Sequence, residues 1–148
     1  MFSKIVVGID GSETSENAVK LACDLAQKYS SEIHLLHVPQ PQTVAFAMGA
    51  VAGYHTATTM PDHDEVEKAG EKLLKRGAEI GKKMGQDVHH AHVLHGDPGH
   101  EITAYAEKCG ADLIVSGRRG LGSVGALIHG STSLSISHLA KCACLSVV

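Results

Sequence analysis

The residues best suited to chemistry in this chain lie in the glycine-rich segment 117–133. Glycines let the backbone approach a ligand closely, and the freed N–H groups can point at anionic oxygens. Ser131, Thr132 and Ser133 add hydroxyl donors, and Arg118 and Arg119 add positive charge. From position 113 onward the sequence contains no Asp or Glu. A polyanion is therefore the expected ligand of this segment.

Two familiar phosphate-binding motifs can be read in this segment, and neither fits its context. Residues 120–125 spell G-x-G-x-x-G, but the dinucleotide motif needs an early strand and an acidic residue roughly 20 positions later. No such residue follows here. Residues 125–132 resemble a P-loop, yet Ser131 stands where the phosphate-binding lysine should be. The segment is therefore neither a Rossmann fingerprint nor a Walker site.

The elements that must position this segment alternate between strand and helix. Apolar, β-branched runs predict strands at 4–9, 32–38, 87–95, 111–116 and 144–148. Apolar residues at helical spacing predict helices at about 12–29, 65–84 and 99–108, and a last helix from the glycine segment to about 140. This alternation predicts one α/β domain over 1–148: a Rossmann-like, five-stranded parallel open sheet of order 3-2-1-4-5 with helices on both faces.

Segment 40–62 departs from this alternation. It mixes small apolar and polar residues without clear periodicity. A stretch of this length inside a compact domain is typical of a functional lid or a flexible loop. A short helix around 44–48 is the alternative.

Asp10 is the acidic residue that the predicted topology brings to the glycine segment. In open parallel sheets the ligand lies beyond the carboxyl ends of the strands, where the strand order reverses. The ends of strands one and four are then neighbours, so Asp10 faces the loop that begins at Gly117. A carboxylate beside a triphosphate repels it unless a divalent cation lies between them, so Asp10 is a candidate Mg²⁺ ligand and a candidate ribose acceptor. The alternative role for Asp10 is that of a helix cap or turn residue.

Composition excludes several classes of protein. The chain has 148 residues with 43% hydrophobic and 20% charged residues, which is typical of a soluble globular protein. A net charge of −3, 3% aromatic residues and no Trp argue against a nucleic-acid binder. The apolar run near the start has only five residues before Asp10, too short for a signal peptide, and Pro39 and Pro41 interrupt the charge-free span that follows residue 32. A cytoplasmic protein without a membrane span is expected.

Cysteines and histidines supply no recognisable metal motif. The four cysteines lack C-x-x-C spacing, so neither a zinc site nor a disulfide framework is predicted. His90 and His92 would share one strand face, and four further histidines lie nearby in the predicted sheet: His34, His37, His89 and His95. No carboxylate or cysteine completes a ligand spacing, so solvent-exposed histidines on an edge strand are favoured over a metal cluster.

The pattern G-x2-G-x9-G-S, formed by Gly117, Gly120, Gly130 and Ser131, is the ATP-binding pattern of the universal stress protein family. Segments 5–12, 35–38, 96–98 and 110–117 resemble segments of this family in the same order. The chain therefore resembles the nucleotide-binding branch of the family over nearly its whole length. One departure is Cys144, which stands where the family usually has proline before its last strand.

The resemblance implies a ligand and a set of contacts. Adenine would lie near Gly8 and Val38, and ribose near Asp10, Ser116 and Gly117. The phosphates would lie against a polar set consisting of Arg119, Gly120, Gly130, Ser131, Thr132 and Ser133. The implied cofactor is ATP, with Mg²⁺ at Asp10, and the implied partner is a second copy of the chain, bound through the C-terminal strand.

The implied role is that of a regulatory binding protein in the stress response, whose nucleotide occupancy biases conformation or partner contacts. No nucleophile and base pair is evident, so no catalytic residue is predicted. Slow ATP hydrolysis is the most that the residues would support. Two alternatives stay open: a dimeric interaction module that acts without nucleotide, and a weak Mg²⁺-dependent ATPase.

Overall fold

Strands and helices alternate along the chain. The computed structural model describes residues 1–48, 62–120 and 131–148. The strands are β1 (Lys4–Gly8), β2 (Glu32–His37), β3 (His90–Val93), β4 (Leu113–Gly117) and β5 (Ala143–Val147). The helices are α1 (Glu13–Tyr29), α2 (Pro41–Ala47), α3 (His63–Lys83), α4 (Pro98–Cys109) and α5 (Ser131–Leu139). Each of these helices in the described part of the chain is too short or too polar to cross a membrane.

The five strands form one parallel sheet of order β3-β2-β1-β4-β5, as predicted. β1 occupies the centre. Its last residue, Gly8, lies opposite Leu36 of β2 and Ser116 of β4. The carboxyl ends of these three strands therefore meet at one edge of the sheet, and the strand order reverses on either side of β1.

Apolar side chains bury both faces of the central strands. Ile5 and Val7 of β1 pack with α1 and α3 on one face, and Val6 packs with α4 and α5 on the other. Burial on both faces explains why β1 and β4 are continuous apolar runs in the sequence.

The first turns of two helices are capped at the carboxyl edge of the sheet. Ser12 accepts a hydrogen bond from the Ser15 amide at the start of α1, and Asp97 accepts one from the His100 amide at the start of α4. These side chains replace hydrogen bonds that the first turn of a helix cannot make internally.

Most predicted boundaries lie within one or two residues of the observed ones, and two differ by more. β3 is shorter than the predicted strand 87–95, because it pairs with β2 alone and that pairing runs from His90 to Val93. In segment 40–62, the helix α2 begins earlier than the alternative 44–48, since Pro41 occupies its first turn. The rest of the predicted lid, residues 49–61, lies outside the described residues.

Helices α4 and α5 pack without room for a methyl group at Gly99. An added Cβ would lie 2.5 Å from Cβ of Ser135 and closer still to its Oγ. We expect Gly99→Ala to lower the free energy of unfolding by about 1–3 kcal/mol through overpacking, as measured by denaturant unfolding. Adding Ser135→Gly should restore part of the loss. If the two single losses simply add, this contact is not the cause.

Candidate functional site

The loops that follow β1 and β4 meet at Asp10 and Gly120. A Cβ added to Gly120 would collide with Oδ2 of Asp10. The structure therefore brings together the carboxylate and the start of the glycine segment that the sequence places in one crevice. Only glycine allows the backbone of the β4 loop to come this close to the carboxylate.

The two oxygens of Asp10 have different surroundings. Oδ1 accepts hydrogen bonds from the amide of Ser12 at 2.9 Å and from its hydroxyl at 2.5 Å. This is the turn-stabilising role that the sequence offers as an alternative. Oδ2 is the oxygen beside Gly120. One carboxylate thus holds the turn into α1 and also places a negative charge at the β4 loop.

Three hydrogen bonds tie the loop after β4 to its surroundings. The amide of Arg118 donates to the carbonyl of Val147 at 2.7 Å, the hydroxyl of Thr14 donates to the carbonyl of Arg119, and the hydroxyl of Ser133 donates to the carbonyl of Arg118 at 3.1 Å. Consequently α1, β5 and α5 all hold this loop.

Gly117 lies directly against the first turn of α1. An added Cβ would be 2.6 Å from Oγ1 of Thr14 and 2.9 Å from the backbone nitrogen of Ser15. Because a backbone atom cannot move aside as a flexible side chain does, a larger residue would push the loop away from α1. Sequence reasoning included Gly117 and Ser133 but missed Thr14, because only the three-dimensional packing brings its hydroxyl to the Arg119 carbonyl.

An apolar wall stands beside this polar crevice. Val38, just after β2, is 5% exposed and belongs to the same buried cluster as Ile102 of α4. A Cβ added to Gly8 would lie 3.0 Å from Cδ1 of Ile102. The predicted adenine contacts, Gly8 and Val38, therefore border one apolar surface.

The remaining predicted site residues differ in exposure. Ser116 and Ser133 are buried, Thr132 is half-buried, and Arg119 and Gly120 are exposed. Nε of Arg118 is buried and has no hydrogen-bond partner among the described residues. Gly130 lies outside the described residues, and Ser131 is described only as the first residue of α5. Thr132 and Ser133 follow it in the first turn, next to the β4 loop.

His37 stabilises the backbone that leads into the crevice. Its side chain is buried, and Nδ1 donates to the carbonyl of Ile9 at 2.8 Å. Burial lowers the pKa of His37, because desolvation disfavours the charged imidazolium. His37 thus fixes the carbonyl of the residue that precedes Asp10.

The expectation of exposed edge-strand histidines is correct for His90 and His92. It is wrong for His34 and His37, because β2 is an interior strand.

Comparison with known proteins establishes the family. The model of the universal stress protein family matches residues 1–147. The chain belongs to the universal stress protein family. The universal stress protein YxiE of Bacillus subtilis is 33% identical over 153 residues, an alignment that covers 99% of each chain.

Solved structures share the fold. A universal stress protein in complex with cAMP has a TM-score of 0.72 at 23% identity, with 99% of this chain and 97% of that chain covered. The protein from Archaeoglobus fulgidus in complex with dAMP has a TM-score of 0.71 at 19% identity, with 99% and 98% covered. A family member from Arabidopsis thaliana with AMP bound has a TM-score of 0.64 at 18% identity, with 98% and 90% covered.

The free energy of unfolding should decrease on acidification, because burial lowers the pKa values of His34 and His37 from 6.5. In the unfolded chain both histidines take up protons near pH 6.5, whereas the folded chain keeps them neutral to lower pH. The unfolded state therefore binds more protons below this pH, and stability is lost as the pH falls through 6.5 towards the folded values. Denaturant unfolding from neutral to mildly acidic pH measures this slope.

His37→Asn provides the specific test, because its side-chain amide can still donate to the Ile9 carbonyl but does not titrate. Its pH slope should be shallower than that of the wild type. His138→Asn on the exposed surface of α5 is the matched control and should keep the wild-type slope. A wild-type slope in His37→Asn would contradict the assignment.

Proposed function

We propose that this protein binds ATP together with Mg²⁺ in the crevice between the ends of β1 and β4. Nucleotide occupancy would bias its conformation or its contacts with partners in the cytoplasmic stress response. The observation that carries the proposal is the contact between the Asp10 carboxylate and the glycine loop at Gly120, at the point where the strand order reverses.

The residues of the crevice match the parts of an adenine nucleotide. Gly8 and Val38 offer an apolar wall for a base. Asp10 offers a carboxylate oxygen for ribose hydroxyls or for a divalent cation. The β4 loop and the first turn of α5 offer backbone amides, and Arg119 offers positive charge at the exposed side of the loop. The solved family members in complex with cAMP, dAMP and AMP support adenine as the base.

The tethering of the loop gives occupancy a way to reach the rest of the molecule. Arg118 and Arg119 are bonded to β5, α1 and α5 through their backbone atoms. A phosphate that draws the loop inward would therefore pull on the first turns of two helices and on the last strand. Such a ligand shifts the equilibrium only through a difference in affinity between the two arrangements.

The last strand supports a homodimer. β5 is the edge strand beside β4, and four of its five residues are exposed. Leu145 is among the exposed large apolar side chains, and it lies next to Cys144. A strand with unpaired backbone groups and apolar side chains is a template for pairing with a second copy. Cys144 has a backbone N–H that can donate to such a pairing, whereas a proline at this position would have none.

ATP binding is tested first by releasing bound nucleotide from protein purified without added ligand, followed by ATP titration. Gly120→Val places a branched side chain between the β4 loop and Asp10 and should abolish binding. Ala104→Val adds a branched side chain on the exposed face of α4 and is the matched control. If the folded wild type neither carries nor binds ATP, the nucleotide-independent dimeric module replaces the proposal.

The role of Asp10 is tested by Asp10→Asn, which keeps an oxygen for the Ser12 hydrogen bonds but removes the negative charge. We expect the gain in ATP affinity on adding Mg²⁺ to fall about tenfold, equivalent to about 1.4 kcal/mol. Binding of ATP without Mg²⁺ should be retained. An unchanged Mg²⁺ effect would contradict a metal role. ATP turnover in the wild type that Asp10→Asn removes would favour the weak ATPase.

A further inference from the structure

A second cluster of potential ligands lies on the paired strands β2 and β3. Glu32 and His34 lie two residues apart on β2, and His90 and His92 lie two residues apart on β3. His34 is the register partner of His90, so all four side chains belong to the same face of the sheet. The crevice at Asp10 lies between the ends of β1 and β4, so this cluster on β2 and β3 is separate from it.

One ring nitrogen of His34 is fixed by a hydrogen bond, as is usual for a histidine that binds a metal ion. His34 is 3% exposed, and its Nδ1 lies 2.9 Å from the hydroxyl of Tyr105. Nε2 is buried and makes no well-formed hydrogen bond within the described part of the chain, since Oε2 of Glu32 is 3.5 Å away. The hydrogen bond at Nδ1 fixes the orientation of the ring, so Nε2 points in a defined direction and is the nitrogen that would bind an ion.

The other three side chains lie on the same face as His34 and are exposed to solvent. The ring centroid of His90 is 4.4 Å from that of His34, and the centroid of His92 is 6.0 Å from that of His90. Both rings are exposed, and the Glu32 side chain is 50% exposed. No three ligands are already gathered for an ion in the described ranges, so an ion would complete the site by rotating these exposed side chains onto the fixed His34.

We propose that His34, His90 and Glu32 bind a divalent transition-metal ion such as Zn²⁺ or Ni²⁺, with His92 as an additional ligand. Imidazole nitrogens and a carboxylate oxygen are suitable ligands for these ions. Lys4 faces the same carboxylate, with Nζ 3.8 Å from Oε2 of Glu32, and also donates to the carbonyl of Cys109 at 2.8 Å. The bound ion replaces Lys4 as the partner of the Glu32 carboxylate, and Lys4 keeps its hydrogen bond to the Cys109 carbonyl.

The site joins an edge strand to an interior strand. β3 pairs with β2 alone through four residues, and three of these four are exposed. An ion held by His34 of β2 and His90 of β3 adds a cross-link at the start of this pairing. Because the ion binds the folded chain, it raises the melting temperature by an amount that grows with the ratio of free ion concentration to the dissociation constant.

The experiment titrates Zn²⁺, and separately Ni²⁺, into the tag-free full chain by calorimetry. Imidazole NMR signals identify the ligands, and melting temperatures are measured with and without the ion. We expect saturable binding that shifts the His34 and His90 signals. His90→Gln removes one ligand and should lower the affinity by about tenfold or more, with a correspondingly smaller thermal shift. His138→Gln, an exposed histidine on α5, is the matched control and should bind like the wild type.

Tyr105→Phe separates a built site from chance chelation by two exposed histidines. The variant removes only the hydroxyl that orients His34, so a site built on His34 should lose about 10–100-fold in affinity. Chelation by His90 and His92 alone would be unaffected by this change and would overturn the proposal. The proposal is also overturned by the absence of saturable binding, by wild-type affinity in His90→Gln, or by loss of binding in Glu67→Gln. The last result would place the ion at the contact of Glu67 with His95.

Discussion

The parallel pairing of β1 with both β2 and β4 is the constraint on which the crevice depends. With β1 between these two strands, the chain leaves the sheet in opposite directions on either side of the centre. The turn at Asp10 and the loop at Gly117 then have to pass one another beyond the strand ends. No covalent link or bound group is needed to bring them together, because the register of β1 and β4 already does so.

Small side chains convert this proximity into contact. At Gly117 the loop touches the first turn of α1, and at Gly120 it touches Asp10. The hydroxyl groups of Thr14 and Ser133 then restrain the loop, because each donates a hydrogen bond to one of its carbonyls. The loop is thus held through its backbone, which leaves the Arg119 side chain exposed for a ligand. This division explains why polar residues flank the glycines on both sides of the crevice.

All five strands could be predicted from the sequence, but the bounds of the edge strand β3 could not. β1 and β4 are buried on both faces, so their apolar runs identify them. β3 ends where its only partner ends, and its exposed histidines carry no apolar pattern. Asp10 and Gly120 could be placed together because topology alone decides their distance. The contacts of Thr14 and Tyr105 could not, because they depend on how α1 and α4 pack on the sheet.

β2 contributes residues to both proposed sites. Val38 follows its last residue, His37, which hydrogen-bonds the backbone before Asp10. Glu32 and His34 lie in the first half of the strand. A parallel strand buried in the middle of a sheet resists sliding, because a shift would break the ladders with β1 and β3 together. An ion at His34 would therefore stabilise the fold without altering the crevice, unless β2 has a second arrangement that the ion and the nucleotide prefer differently. By reciprocity, any such preference would change both affinities by the same factor. The rigidity of β2 thus favours independent action of the two proposed sites, the nucleotide crevice and the ion site at the edge of the sheet.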